Sequence, residues 1–324
     1  MIISRTPFRV SFVGGGTDLP EFYTRRSGAV ISMAIDRYVY ITVNRRFDDT
    51  LRLSYSKTEI VENLDCVAHP LFREALRLCG VHQGIEATSI ADVPSGTGLG
   101  SSSSFAVGLL HALHAFRGLH RSAEDLAAQA CHLELDVLNE PIGKQDQYAA
   151  AFGGLRRYTF NSDDTVSVDP VICSEDVKTR LFEHLMFFYV GGSRDARQIL
   201  QEQADQTGNK LEYLDRIRDL ADRFHEVLVA GQPISELGEI LHESWLCKRK
   251  LASNVTNERV DELYEVARRA GAIGGKLLGA GQAGFLMLFC PPSKQAAVRE
   301  RLKELREMPF AFESEGSKII YVGR

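Results

Sequence analysis

The sequence is short of the features that would send a chain to a membrane, to an oxidising compartment or to nucleic acid. No apolar run approaches the roughly 20 residues of a membrane span, and Met1-Ile2-Ile3-Ser4-Arg5-Thr6-Pro7 has no apolar signal-peptide core. Six cysteines, at 66, 79, 131, 173, 247 and 290, include no C-x-x-C pair and no zinc-like spacing, so they read as reduced, mostly buried thiols of a cytoplasmic protein. A net charge of −5 and a pI near 6.0 leave no broad cationic surface for nucleic acid. His111 and His114 have helical spacing but no third ligand, and read as interior or surface groups rather than a metal site. The single tryptophan, Trp245, reads as core. No G-x-x-x-x-G-K-[ST] run is present, which excludes a Walker-type ATPase.

What the chain does have is length for about two globular domains, 324 residues at 44% hydrophobic and 25% charged, and three glycine clusters. The central one, Pro94 to Ser104 (PSGTGLGSSSS), joins glycines to four hydroxyls just ahead of an apolar helical segment. Glycine lets backbone N–H groups approach an anion, and a helix N-terminus adds unpaired N–H groups and the positive end of its dipole. A flexible linker is the competing reading. Leu99 inside the loop and the run Phe105, Val107, Leu109, Leu110, Leu113, Phe116 after it argue for the phosphate cradle. The other clusters are Gly14-Gly15-Gly16 and Gly279-Ala280-Gly281-Gln282-Ala283-Gly284. The latter matches G-x-G-x-x-G but precedes a strand late in the chain, the wrong context for a dinucleotide fold.

The first half reads as strands and then helices. Residues 37–45 and 51–55 are expected to form a β-hairpin across Asp48-Asp49, 70–79 a helix stopped by Gly80, and 84–91 a strand feeding the glycine-serine loop. Ser122 with Asp125 forms a capping box for a helix with the stripe Leu126, Ala130, Leu133, Val137, ending near Asn139 ahead of Pro141. A strand over 155–160 and a turn at 161–164 follow, and a domain boundary is placed near 165–180, dividing the chain into 1–170 and 171–324. The second half reads as strand (185–190), helices to about 269, strands at 276–278 and 285–289, a helix from Pro291 and a closing strand (319–322), a ferredoxin-like order within an α+β fold.

Two carboxylates attract attention. Glu134 lies one residue off the apolar stripe and suits Mg²⁺, which takes one or two carboxylates along with phosphate oxygens and water. Asp146, in Gly143-Lys144-Gln145-Asp146-Gln147-Tyr148, suits a general base for a hydroxyl, with Lys144 near to lower its pKa or neutralise phosphate. On spacing alone, a solvated surface group is the commoner role for either. Lys248-Arg249-Lys250 reads as a solvated helix face, with contact to a substrate phosphate as the alternative.

Arg5 to Asp18 (RTPFRVSFVGGGTD), Pro94 to Ser104 and Lys276 to Gly284 (KLLGAGQAG) resemble, in order, the three motifs of the GHMP kinases. Thr17 to Phe22, Tyr55 to Glu59, Gly143 to Tyr148 and Glu315 to Ile320 resemble in particular the bacterial D-glycero-D-manno-heptose 7-phosphate kinases. The resemblance implies an N-terminal domain like domain 2 of ribosomal protein S5, a ferredoxin-like C-terminal domain, and transfer of phosphate from ATP, with Mg²⁺, to the anomeric hydroxyl of a heptose 7-phosphate. It implies Asp146, Arg9 and Lys144 as catalytic residues and Ser102 and Glu134 as Mg²⁺ ligands. The ATP phosphates fall to Pro94, Gly96, Gly98, Leu99, Gly100, Ser101, Ser102, Ser103 and Ser104. The sugar falls to Arg9, Gly15, Gly16, Thr17, Asp18, Lys144, Arg194, Gly279 and Gly281. Gln282 and Ala283 depart from the family pattern, standing where glycines are usual, and side chains tolerate positive φ less well. Small molecules, not nucleic acid or membrane, are the implied partners, and a homodimer stays open. A kinase for another sugar such as fucose is the alternative activity, and a non-catalytic sugar and ATP sensor the alternative class.

Overall fold

The computed structural model describes residues 1–192 and 196–323. Strand β1 (Ile2–Val13) passes through the three-glycine corner and one helical turn, α1 (Pro20–Tyr23), into β2 (Gly28–Arg45), and the two strands pair antiparallel. Strands β3 (Leu51–Ser54) and β4 (Thr58–Val61), helix α2 (Pro70–Leu78) and strand β5 (Ile85–Ala91) follow. The expected hairpin between 37–45 and 51–55 does not form. β5 inserts between the two strands, antiparallel to β2 and parallel to β3, and β3 turns back on β4 instead. Ile85 and Ala87 of β5 are buried, as a central strand requires, whereas β4 exposes Ile60 and serves as an edge.

Helices α3 (Ser101–Phe116) and α5 (Gln145–Phe152) pack on β1 and β2, with α4 (Ala123–Cys131) against both. α3 buries Ala106, Val107, Leu109, Leu110, Ala112 and Leu113, the apolar surround of an interior helix. The capping box opens α4 as expected: Asp125 N–H donates to Ser122 Oγ at 3.0 Å and Ser122 N–H to Asp125 Oδ2 at 3.2 Å. A wider π-type turn over His132–Val137 continues α4, and Asn139 takes a φ of +52° two residues before Pro141. The wider turn rotates the helix face. Glu134 therefore points inward and is fully buried, while Val137, expected on the apolar stripe, is exposed.

Strand β6 (Leu155–Phe160) pairs with the first half of β2 and with β7 (Val166–Pro170). Helix α6 (Glu175–Glu183) leads to a second sheet built from β8 (Leu185–Gly191), β9 (Gly274–Leu277), β10 (Gly284–Phe289) and β11 (Arg306–Glu307). Around it lie α7 (Ala196–Gln206), α8 (Leu211–Ala230), α9 (Ser235–Lys248), α10 (Glu258–Ala270) and α11 (Pro292–Arg301). The antiparallel order β11-β8-β10-β9 is ferredoxin-like. The strand expected to complete it goes elsewhere. Residues 318–322 form β12 (Lys318–Val322), which returns to pair with β1 at the edge of the larger sheet, and the two-residue β11 takes the fourth place. Ile320, Tyr321 and Val322 are exposed, which suits an edge and not the interior of the second sheet. Trp245 is core, packed beside Tyr264.

Candidate active site

The central loop lies against β1: Arg9 N–H donates to the Leu99 carbonyl at 3.1 Å, and Arg9 Nη1 to the Gly98 carbonyl at 2.8 Å. Gly98 has a φ of +85°, and a Cβ there would stand 2.3 Å from the Leu278 carbonyl oxygen, so only glycine lets this loop pass the late glycine cluster. Across the same seam Phe285 N–H donates to the Thr97 carbonyl at 3.3 Å. Gly98→Ala is expected to cost about 2–4 kcal/mol, from the strained φ plus the backbone clash, measured as a fall in denaturation midpoint.

The four serines that open α3 differ in role. Ser102 Oγ donates to Glu134 Oε1 at 2.8 Å, and Ser103 also reaches that carboxylate. Ser104 Oγ turns the other way and donates to the Pro7 carbonyl at 2.9 Å, tying α3 to β1. Ser101, Ser102 and Ser103 line a cleft of about 840 Å³ with Pro94, Gly96, Gly98 and Gly100. Leu99 and Ser104, expected at the phosphates, do not line it: both are fully buried behind the loop.

Of the carboxylates that line this cleft, Asp146, Glu134 and Asp18 lie around the loop and the polar end. Asp146, in the first turn of α5, is clamped by Arg9, whose Nε and Nη2 each donate to a carboxylate oxygen at 2.7 Å. Glu134 accepts from Ser102 and, at 2.7 Å, from Gln147 Nε2; burial pushes its carboxyl up to about 7 against these hydrogen bonds. Asp18 accepts from the Gly16 N–H at 2.9 Å and Gln145 Nε2 at 3.0 Å, and burial raises it above the usual carboxylate range. Gly143 lets the Asp18 carboxylate come close, since a Cβ there would lie 2.0 Å from Oδ2. Ser11 Oγ and Gln145 Oε1, at the same end of the cleft, are buried with no hydrogen-bond partner among the described residues.

Several expected residues lie elsewhere. Lys144 is not part of the cleft wall: its ammonium donates to Asp164 Oδ1 at 2.6 Å and stands over the Tyr23 ring. Thr17 Oγ1 bonds the Gly14 and Ala29 carbonyls and holds the corner after β1. Gly15, Gly16 and Gly279 line the cleft, whereas Gly281 packs on Val255. Arg194 lies outside the described residues. Gln282 does take a positive φ, +58°, with its N–H on the Val255 carbonyl and its own carbonyl accepting from Asn257 Nδ2, so the departure from glycine is absorbed by local hydrogen bonds.

Sequence reasoning gave Lys276 and the aromatic end no place in the wall, and cleft contact by Lys248 only as the alternative to a solvated face. Lys276 and Lys248 both enter the cleft and both are buried, so Lys248 is not on a solvated face. The opposite end is apolar and aromatic, with Tyr55, His69, Leu71 and Phe105 around it; the His69 ring stands 4.6 Å from Tyr55 and 5.5 Å from Phe105, centroid to centroid. An aromatic, apolar end, a glycine-rich loop in the middle and a polar end have the chemistry to accept an apolar ring, an anion and a hydroxylated molecule in one cleft.

Comparison with known proteins identifies the family. Residues 62–154 match the GHMP kinases N terminal domain and residues 224–306 the GHMP kinases C terminal domain. The D-glycero-alpha-D-manno-heptose 7-phosphate kinase of Campylobacter jejuni is 28% identical over 98% of each chain. The bifunctional fucokinase/GDP-fucose pyrophosphorylase of Arabidopsis thaliana is 28% identical over 93% of this chain and 31% of its own length. The crystal structure of a D-glycero-D-manno-heptose 1-phosphate kinase from Bacteroides thetaiotaomicron matches the whole chain over its own full length with a TM-score of 0.83 at 24% identity. With both domain matches in order and the fold shared end to end, the chain belongs to the GHMP kinases, phosphotransferases that act on an alcohol group.

Proposed function

We propose that the protein transfers the γ-phosphoryl group of ATP to the anomeric hydroxyl of D-glycero-D-manno-heptose 7-phosphate, giving the 1,7-bisphosphate and ADP. The observation that carries the transfer is the Arg9–Asp146 clamp, set where the phosphate cradle meets the polar pocket. The end-to-end likeness to a heptose 7-phosphate kinase supports the acceptor. Such chemistry needs little covalent help from a protein and depends on in-line positioning and charge neutralisation.

The aromatic slot of Tyr55, His69 and Phe105 takes the adenine, and backbone N–H groups of the cleft-lining residues Gly96, Gly98, Gly100, Ser101, Ser102 and Ser103 take the phosphates. Glu134 and Ser102 fit Mg²⁺. The ion is hard and oxygen-seeking, and a carboxylate with a neighbouring hydroxyl, Ser102 Oγ at 2.8 Å from Glu134 Oε1, offers it oxygen ligands beside those of phosphate and water. When bound, the ion screens charge on the ATP phosphates. Asp146 orients and deprotonates the anomeric hydroxyl, and Arg9, released in part from Asp146, meets the charge developing on the transferring group. Lys144, engaged by Asp164, leaves that task to Arg9. Asp18, Gln145 and Ser11 read the sugar hydroxyls. Supply of ATP places the reaction in the cytoplasm.

ADP release from Mg-ATP with a panel of sugars and sugar phosphates tests the reading, and the heptose 7-phosphate should give the highest kcat/KM. Fucose as the best acceptor would replace it with the second reading, which the fucokinase relatives favour.

A further inference from the structure

Three consecutive residues at the start of α5 each engage a different partner across the cleft. Gln145 Nε2 donates to Asp18 Oδ2 at 3.0 Å, Asp146 accepts both bonds of the Arg9 clamp at 2.7 Å, and Gln147 Nε2 donates to Glu134 Oε2 at 2.7 Å. Any shift of this turn therefore moves the base, the sugar pocket and the Mg²⁺ carboxylate together. A misplacement of about 1 Å can cost about a hundredfold in rate.

The turn is not held by a cap of its own. Lys144 stands at the N-cap position of α5, where Ser, Thr, Asp or Asn is favoured, and its side chain makes no capping hydrogen bond. A cation there also opposes the positive end of the helix dipole. Neither local preference accounts for a lysine at this place; its distant partner does. The ammonium is drawn to Asp164, donating to Oδ1 at 2.6 Å and to the carbonyl at 3.1 Å, with the Tyr23 ring centroid 5.2 Å away. Tyr23 is buried in α1 and stacked on Phe160, and its hydroxyl donates to the same Oδ1 at 2.6 Å. Asp164, in the turn between β6 and β7, thus joins the start of α5 to the helical turn that follows Asp18. Its φ is +71°, a conformation that Asp and Asn enter more readily than most side chains.

We infer that Asp164, acting through Lys144 and Tyr23, is a positioning residue for phosphoryl transfer: it fixes the first turn of α5, and with it Asp146, against Arg9 and Glu134. The inference rests on the reading of Asp146 as the base. The Asp164 side chain is 71% exposed, and an ion pair so open to solvent adds little to stability. Its effect is on where α5 comes to rest, so rate and stability separate. A lysine acting on the phosphate itself predicts the opposite sign, since losing Asp164 would release it for that task.

The test compares wild type with Asp164→Asn, Lys144→Met, their double variant and Asp146→Asn, by steady-state ADP release on the best acceptor of the panel above, by Tm, and by amide hydrogen exchange over residues 143–148. Asp164→Asn keeps the turn and the carbonyl that Lys144 meets, and removes only the charge. Asp164→Asn and Lys144→Met should each lower kcat about tenfold and leave KM for ATP within about twofold. The double variant should be within about twofold of the slower single one, because one strut is lost once. Exchange over 143–148 should rise at least about threefold in Asp164→Asn while its Tm moves by less than about 3 °C. Asp164→Asn at or above the wild-type rate with Lys144→Met slow would overturn the proposal and assign Lys144 to the phosphate. Losses that multiply in the double variant would overturn it as well. Should Lys144→Met fail to fold, Asp164→Asn alone carries the rate and exchange comparison. Asp164→Asn and Lys144→Met at the wild-type rate with Asp146→Asn slow removes only the positioning role. All three at the wild-type rate removes the reading of Asp146, and the proposal with it.

Discussion

Asp146→Asn is expected to lower kcat about a thousandfold, the scale of a lost general base, with KM for ATP changed less than about threefold. The amide keeps the size of the side chain but cannot take a proton, and it offers Arg9 one acceptor where the carboxylate offers two at 2.7 Å. Arg9 is 4% exposed and would lose its counter-charge, so part of the effect could come from a displaced guanidinium. Asp146→Glu separates the contributions: it keeps the charge for Arg9 and moves the base, and should recover folding stability but little of the rate. Steady-state ADP release together with thermal denaturation reads both. A kcat for Asp146→Asn within threefold of wild type would remove Asp146 from the reaction.

Glu134→Gln should move activity and stability in opposite directions. Glu134 is fully buried, and its carboxyl is pushed from an ordinary 4.5 up to about 7. The folded state thus binds a proton that the unfolded state has released between these values. Stability from this group is complete below about pH 4.5 and is lost as pH rises through about 7. Above pH 7, without Mg²⁺, holding the carboxylate costs on the order of 3 kcal/mol. The amide has no charge to bury, and Gln147 can turn its unpartnered Oε1 toward it. At pH 8 without metal the variant should therefore denature at a higher temperature than wild type, while kcat falls at least a hundredfold with loss of the ligand. Wild type itself should bind Mg²⁺ more weakly below pH 7, because the ion must displace a proton, and a tenfold rise in Mg²⁺ should shift the acid limb of its pH–rate profile down by about one pH unit. An acid limb that ignores Mg²⁺ would detach Glu134 from the metal.

Most of the site was legible because it is local in sequence. The glycine-serine run, the helix after it, the Ser122 capping box and the strand pair around the late glycines depend on residues a few positions apart, and each forms where the pattern places it. What escaped depends on distant partners. Nothing in residues 37–55 announces that β5 will separate the two strands, since any of these strands satisfies the same alternation. Lys144 was expected beside Asp146 on proximity, but residues two apart at a helix start do not face each other, and Asp164 sits on the side that Lys144 faces. Lys276 looked like an ordinary strand residue. Its one cue was a lysine in an otherwise apolar strand, leading into a glycine cluster.

The return of β12 to β1 has a consequence for the order in which the molecule can be completed. β1 leaves the ribosome ahead of the other described strands, and β2 covers one of its edges almost at once. The Ile2–Arg5 part of its other edge waits for residues 318–322, after the whole second sheet has been synthesised. Throughout that interval the open Ile2–Arg5 edge of the strand is exposed to wrong partners, the hazard that open edges pose during folding. The base clamp and the phosphate cradle both rest on β1. The nascent first half therefore holds the pieces of its active site on a scaffold whose border at Ile2–Arg5 is closed only when residues 318–322 arrive.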